Sequence, residues 1–128
     1  MKVLFLDDLD VRHEWAKTQF IGADITHVRT AWECVAALRD KGPFDTVSLD
    51  HDLGFSEHSY TEGEKNGNGQ DVTRWVLEQA METGAGSWEY WWLEADWIIH
   101  SWNPDGARNM ARDLETAWCN VVVEPAKV

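Results

Sequence analysis

The chain has 128 residues, 44% of them hydrophobic and 27% charged, with a net charge of -12, the size and composition of a single globular domain over 1–128. No apolar run approaches the ~20 residues of a membrane helix, and Asp7 and Asp8 interrupt the N-terminal run before an export signal could form, so a cytoplasmic protein with no membrane partner is expected. The acid excess excludes extended binding to RNA or DNA, which relies on Lys and Arg displacing counterions; a small phosphorylated nucleotide or an RNA terminus stays compatible if metal ions cancel the local charge.

Val3-Leu4-Phe5-Leu6 predicts a first strand over residues 2–7 that ends on Asp7 and Asp8, followed by a helix from Leu9 to Phe20. Residues 24–29 form a second strand, polar enough for a sheet edge, whereas the other strands carry the continuous apolar runs of strands buried on both faces. Ala31, Val35 and Leu38 give the inward side of a helix from Ala31 to Lys41, which stops at Gly42-Pro43. The third strand, 45–50, leads into Asp50-His51-Asp52. Residues 53–69, with Gly54, Gly63, Gly67 and Gly69, read as a long polar loop and a candidate lid. Val72, Trp75, Val76 and Ala80 then share one helical face.

Between Gly84 and Leu93 crowd Trp88, Tyr90, Trp91 and Trp92, in a chain with nine tryptophans. Such aromatics either pack at the end of the sheet or serve as a contact surface for a protein partner, a second copy of the chain or a base. The fourth strand, 95–100, closes on His100-Ser101. Asn103-Pro104 supplies an N-cap and a first-turn proline to a helix with Ala107, Met110, Ala111, Leu114 and Trp118 inward, and residues 120–124 form the last strand. Alternating strands and helices imply an α/β fold with a parallel sheet. Cys34 and Cys119, far apart and in apolar surroundings, are expected to be buried free thiols.

The chemistry-bearing residues fall at strand ends, and the carboxyl ends of parallel strands converge on one edge, where open α/β sheets bind ligands. Acids collected there cannot all stay ionised without a cation, so Asp7, Asp8 and Asp50 are candidate ligands of Mg²⁺ or Mn²⁺; capping of the first helix is the plainer role for Asp8. His51 and Asp52 suit a base and its orienting partner, and His100, facing His51, would complete an acid and base pair for phosphodiester hydrolysis. Ser101 and the amide groups after Asn103 would bind phosphate. Arg12 would reach the same phosphate with its planar fork, or form a surface ion pair. His13, His27 and His58 lack such company and read as surface residues.

Three motifs resemble a known family. Leu6-Asp7-Asp8, the run from Ser48 to Gly54, and Ile99-His100-Ser101 followed by Asn103-Pro104-x-Gly106-Ala107-x-Asn109-Met110 are similar to the cyclic-phosphate processing receiver-like domains. The resemblance spans nearly the whole chain and is poor in the Gly-rich loop and the Trp-rich segment. It implies a receiver-like (flavodoxin-like) three-layer sandwich, with a five-stranded parallel sheet in the order 2-1-3-4-5 and helices on both faces. It also implies a catalytic use of that scaffold on cyclic phosphate ends of RNA or nucleotides. Asp7, Asp8 and Asp50 would correspond to the receiver acidic pocket, and His51, Asp52, His100 and Ser101 to the family's additional polar residues. Ordinary receivers resemble one another in a Lys-Pro after the fifth strand. This chain has Glu124-Pro125, with Lys127 beyond, so phosphorelay signalling is not expected. The expected function is therefore a metal-assisted phosphoesterase; the alternative is a non-catalytic binding or inhibitory protein that uses the Trp-rich segment as its contact surface.

Overall fold

The computed structural model describes residues 1–53, 66–83 and 91–125. Five strands alternate with helices in chain order: β1 (Lys2–Leu6), α1 (Asp10–Gln19), β2 (Asp24–Val28), α2 (Ala31–Asp40), β3 (Thr46–Leu49), α3 (Gly69–Thr83), the short α4 (Trp91–Glu94), β4 (Asp96–His100), α5 (Pro104–Thr116) and β5 (Asn120–Glu124). All pairings are parallel and the order is β2-β1-β3-β4-β5, as the resemblance implies. Most of the Gly-rich loop (residues 54–65), the Trp88 and Tyr90 part of the aromatic segment, His58 and Lys127 lie outside the described residues.

The pleat divides the sheet's side chains between two layers. Leu4, Leu6, Val47, Leu49, Trp97 and Ile99 belong to the main core with Ala31, Leu38, Val72, Val76, Met110 and Leu114 of α2, α3 and α5. Phe5 belongs to the other side, where it meets the rings of His13 and Trp15 of α1 at 5.2 and 6.2 Å. Helices thus cover both faces. Trp91 and Trp92 turn inward: Trp92 is buried, Trp91 stacks on Trp97 at 6.5 Å, and the Trp97 indole N–H donates to the Trp92 carbonyl at 2.9 Å. Both cysteines are buried and free, and burial pushes the Cys119 thiol up to about 12.

Three details depart from expectation. β5 is the second edge strand, with Val122 52% and Val123 49% exposed, because among the described residues nothing pairs beyond it in the sheet. Trp118 does not extend the inward face of α5: the helix ends at Thr116, and Trp118 takes a φ of 64° that swings the chain toward β5 and leaves its ring exposed. The residue that continues the apolar stripe is Ala117. The residue at the N-cap position of α1 is Leu9 rather than Asp8, and the Leu9 side chain makes no capping bond.

Gly69 opens α3 directly beneath the exit of β3. Its N–H donates to the His51 carbonyl at 2.8 Å, and a Cβ there would overlap the Asp50 carbonyl oxygen and lie 2.6 Å from Met110 Cε. A Gly69→Ala protein is expected to lose about 2 kcal/mol, the usual cost of overpacking, seen as a lower urea midpoint. An unchanged midpoint would show that α3 is free to shift there.

Candidate functional site

Strand register assembles the site. Leu6 pairs with Leu49 and Leu49 with Ile99, so Asp7, Asp50 and His100 each stand one residue beyond a common row at the carboxyl edge. One carboxylate oxygen from each of Asp7, Asp8 and Asp50 lies within 4.8 Å of the other two. Asp7 and Asp50 are buried, and Asp8 is half-buried. Asp52 is not part of this group; its side chain is 60% exposed and turns to His51.

A cation from α1 sits among the acids. Arg12 Nη1 lies 3.3 Å from both Asp7 Oδ2 and Asp50 Oδ2, with its side chain only 10% exposed. The sequence suggested that Arg12 reaches outward to a phosphate or pairs at the surface; instead it is drawn in as the counter-ion of two buried carboxylates, whose desolvation a lone charge could not offset. One guanidinium between Asp7 and Asp50 leaves an excess negative charge on that pair when both are ionised. Burial and the charge of Asp7 accordingly push the Asp50 carboxyl up to about 8, with Arg12 opposing. Asp7 goes the other way. Burial works against its ionisation, but hydrogen bonds from His100 and the Leu9 N–H, together with Arg12, hold it below the usual range.

His100 lies behind Asp7 and does not face His51. Its Nε2 is 2.9 Å from Asp7 Oδ2, its Nδ1 is 2.6 Å from Ser48 Oγ, and its ring stacks on Phe5 at 4.5 Å with planes 5° apart. Burial lowers its pKa, against the pull of Asp7, and keeps the imidazole neutral. A carboxylate can only accept, so Nε2 carries the proton and Ser48 donates to Nδ1. The expected pair of opposed imidazoles is therefore not formed. Ser48-His100-Asp7 is a buried chain that orients the Asp7 carboxylate.

His51 is at the mouth. Its Nδ1 is 2.7 Å from Asp52 Oδ1, which assigns the proton to Nδ1 and leaves the Nε2 lone pair as a base. The ring lies against the first turn of α5, where a Cβ on Gly106 would come within 2.5 Å of it. Asn103 caps that helix, accepting from the Gly106 N–H at 2.9 Å, and its amide reaches Asp52 at 3.4 Å. Ser101 is buried and accepts from the Asn103 N–H at 3.1 Å, which leaves its own hydrogen for a ligand.

The sequence reading missed two neighbours. His13 is buried rather than superficial: its Nε2 faces the Asp7 carbonyl at 2.8 Å and its Nδ1 faces His27 Nδ1 at 2.7 Å. The carbonyl requires the proton on Nε2, so a neutral His13 accepts from His27. No local signal distinguishes that pair, because it joins α1 to β2. Ser48 did leave a signal, as the one hydroxyl between Val47 and Leu49 in a strand buried throughout, where a polar group needs a partner.

A parallel sheet of this order, with acids from β1 and β3 clustered at its carboxyl edge, defines a receiver-like domain. Residues 2–116 match the family described as Cyclic-phosphate processing Receiver domain, and the chain belongs to that family. Among solved structures the fold is similar to the receiver domain of the Francisella response regulator 1452, at 16% identity and a TM-score of 0.59, covering 98% of this chain and 85% of that one. A CheY-like receiver domain protein from Methanospirillum hungatei JF-1 is similar at 18% identity and a TM-score of 0.56, covering 98% and 82%. A response regulator from Burkholderia pseudomallei, solved with a phosphorylated aspartic acid, a calcium ion and citrate, is similar at 14% identity and a TM-score of 0.61, covering 99% and 61%. None of the curated proteins compared with the chain matches it. Among the described residues no helix is long and apolar enough to cross a membrane.

Proposed function

We propose that the domain hydrolyses a cyclic phosphate of a nucleotide or RNA end with the help of a divalent metal. The observation that carries this reading is the placement of a His51-Asp52 base at the mouth of a pocket where the carboxylates of Asp7, Asp8 and Asp50 cluster around Arg12, which pairs with Asp7 and Asp50. Asp7, Asp8 and Asp50 would hold Mg²⁺ or Mn²⁺, hard ions that suit carboxylate oxygens. Burial and the neighbouring Asp7 charge, which drive Asp50 toward protonation, fit such an ion. When bound, it would supply charge neutralisation at the phosphoryl oxygens.

The chain's own residues would do the rest. His51 Nε2 takes a proton from water as the water oxygen bonds to phosphorus. One ring P–O bond breaks, the departing alkoxide takes a proton from solvent, and His51 returns its own to solvent, leaving a phosphomonoester. Asp52 holds the His51 tautomer, and the Ser101 hydroxyl and the amino end of α5 face the anion. Ser48 and His100 keep Asp7 ionised and oriented.

Hydrolysis of 2′,3′-cyclic nucleotides with and without Mn²⁺ tests the reading. His51→Ala is expected to slow the metal-dependent reaction by about 10²–10⁴-fold, the usual share of a general base. Wild-type protein no faster than His51→Ala in the presence of metal would sink it.

A further inference from the structure

We infer that Trp102 is a stacking platform for the base of the ligand, so that the site takes nucleoside phosphates in preference to base-free phosphoesters; this rests on the function proposed above. Trp102 is 63% exposed, a large apolar ring left in water. The backbone on either side of it is pinned. Ser101 is buried and accepts from the Asn103 N–H at 3.1 Å, and the Asn103 side chain is committed to the Gly106 N–H at 2.9 Å. The indole is therefore presented by a fixed turn.

That turn belongs to the pocket rim. Trp102 follows His100 by two residues, so their Cα atoms lie at most about 7 Å apart, and His100 is bonded to Asp7. On its other side Asn103 borders Asp52 and His51. An exposed indole is thus carried on the turn between His100 and Asn103, next in the chain to residues of the site proposed above to take a phosphate and its cation. The ligand chemistry that satisfies both at once is a phosphate joined through ribose to an aromatic base. Stacking of a base on an indole tolerates any base, since each has a π-face. Trp118, also exposed at 56%, follows α5 at the opposite edge of the sheet and serves as a control.

The test measures binding of adenosine 2′,3′-cyclic phosphate and of methyl ribofuranoside 2,3-cyclic phosphate by calorimetry with Mn²⁺ present, alongside turnover of both. In the wild type the nucleotide should bind about 10- to 100-fold more tightly than the base-free ester. Trp102→Ala should collapse that ratio toward one, Trp102→Phe should keep most of it, and Trp118→Ala should leave it as in the wild type. A wild-type ratio near one, or a ratio that survives Trp102→Ala, overturns the inference. Binding with the expected ratio but no turnover of either compound supports the platform while removing the phosphoesterase reading.

Discussion

Replacing Arg12 with Ala is expected to cost the metal-free protein about 3–5 kcal/mol, the effect of removing one partner from a buried ion pair. Arg12 is the charge between Asp7 and Asp50, at 3.3 Å from each. Without it the ionised Asp7 is left buried beside the half-buried Asp8, and the Asp50 carboxyl, raised to about 8 even with Arg12 opposing, must hold its proton more firmly still or admit water. Loss of packing contributes too, since the side chain is largely enclosed. A divalent cation at the same carboxylates would replace the missing charge, and a ligand at about 100 times its Kd adds about 2.7 kcal/mol to stability. Millimolar Mg²⁺ should therefore restore most of the loss, and restore more in Arg12→Ala than in the wild type. Urea unfolding with and without the metal measures both. A variant as stable as the wild type in metal-free buffer would show that the guanidinium is not the counter-ion of this pocket.

The second large effect is a dependence of stability on pH that runs opposite to that of ordinary paired carboxylates. Asp50 titrates near 8 in the fold against about 3.8 in the unfolded chain, so between these values the folded state holds a proton that the unfolded state has lost. Stability must fall as pH rises through that window. Asp7, whose pKa is lowered, adds stability above its ordinary range and loses it only in acid. His100 and His27 are also lowered, so below about pH 6.5 they make stability rise with pH and mask the trend. From pH 7 to 8 Asp50 stands clear, and about 1 kcal/mol should be lost per pH unit. Asp50→Asn should abolish that slope, and saturating Mg²⁺, which favours the ionised carboxylate, should flatten it. A metal-free wild type whose unfolding free energy is level from pH 7 to 8 would contradict the burial of an unneutralised Asp50.

Nearly all of the architecture was legible from local pattern. Apolar runs bounded by Asp, Gly and Pro located five strands to within a residue or two at each end, and Asn103-Pro104 marked the start of α5 because capping is a property of adjacent residues. The short α4 was not read, since four residues carry no periodicity. Trp118 was misplaced because helical spacing continues past the point where the backbone leaves the helix. The exposure of β5 escaped for a related reason: three consecutive valines look the same in a central strand and at an edge, and only pairing decides.

The sequence by itself determined the alternation of strand and helix and the arrival of Asp7, Asp8, Asp50, His51 and His100 at strand ends, because both follow from short-range periodicity and the direction of a parallel sheet. Tertiary structure decided how those groups are used. His100 joins Asp7 across 93 positions and Ser48 across 52, and Arg12 crosses 38 to reach Asp50. Such contacts are set by register and by the cost of burying a charge without a partner, quantities that no window along the chain contains. Two histidines that looked equivalent in the sequence were thereby separated, one turned inward to hold a carboxylate and the other left at the mouth with a free nitrogen.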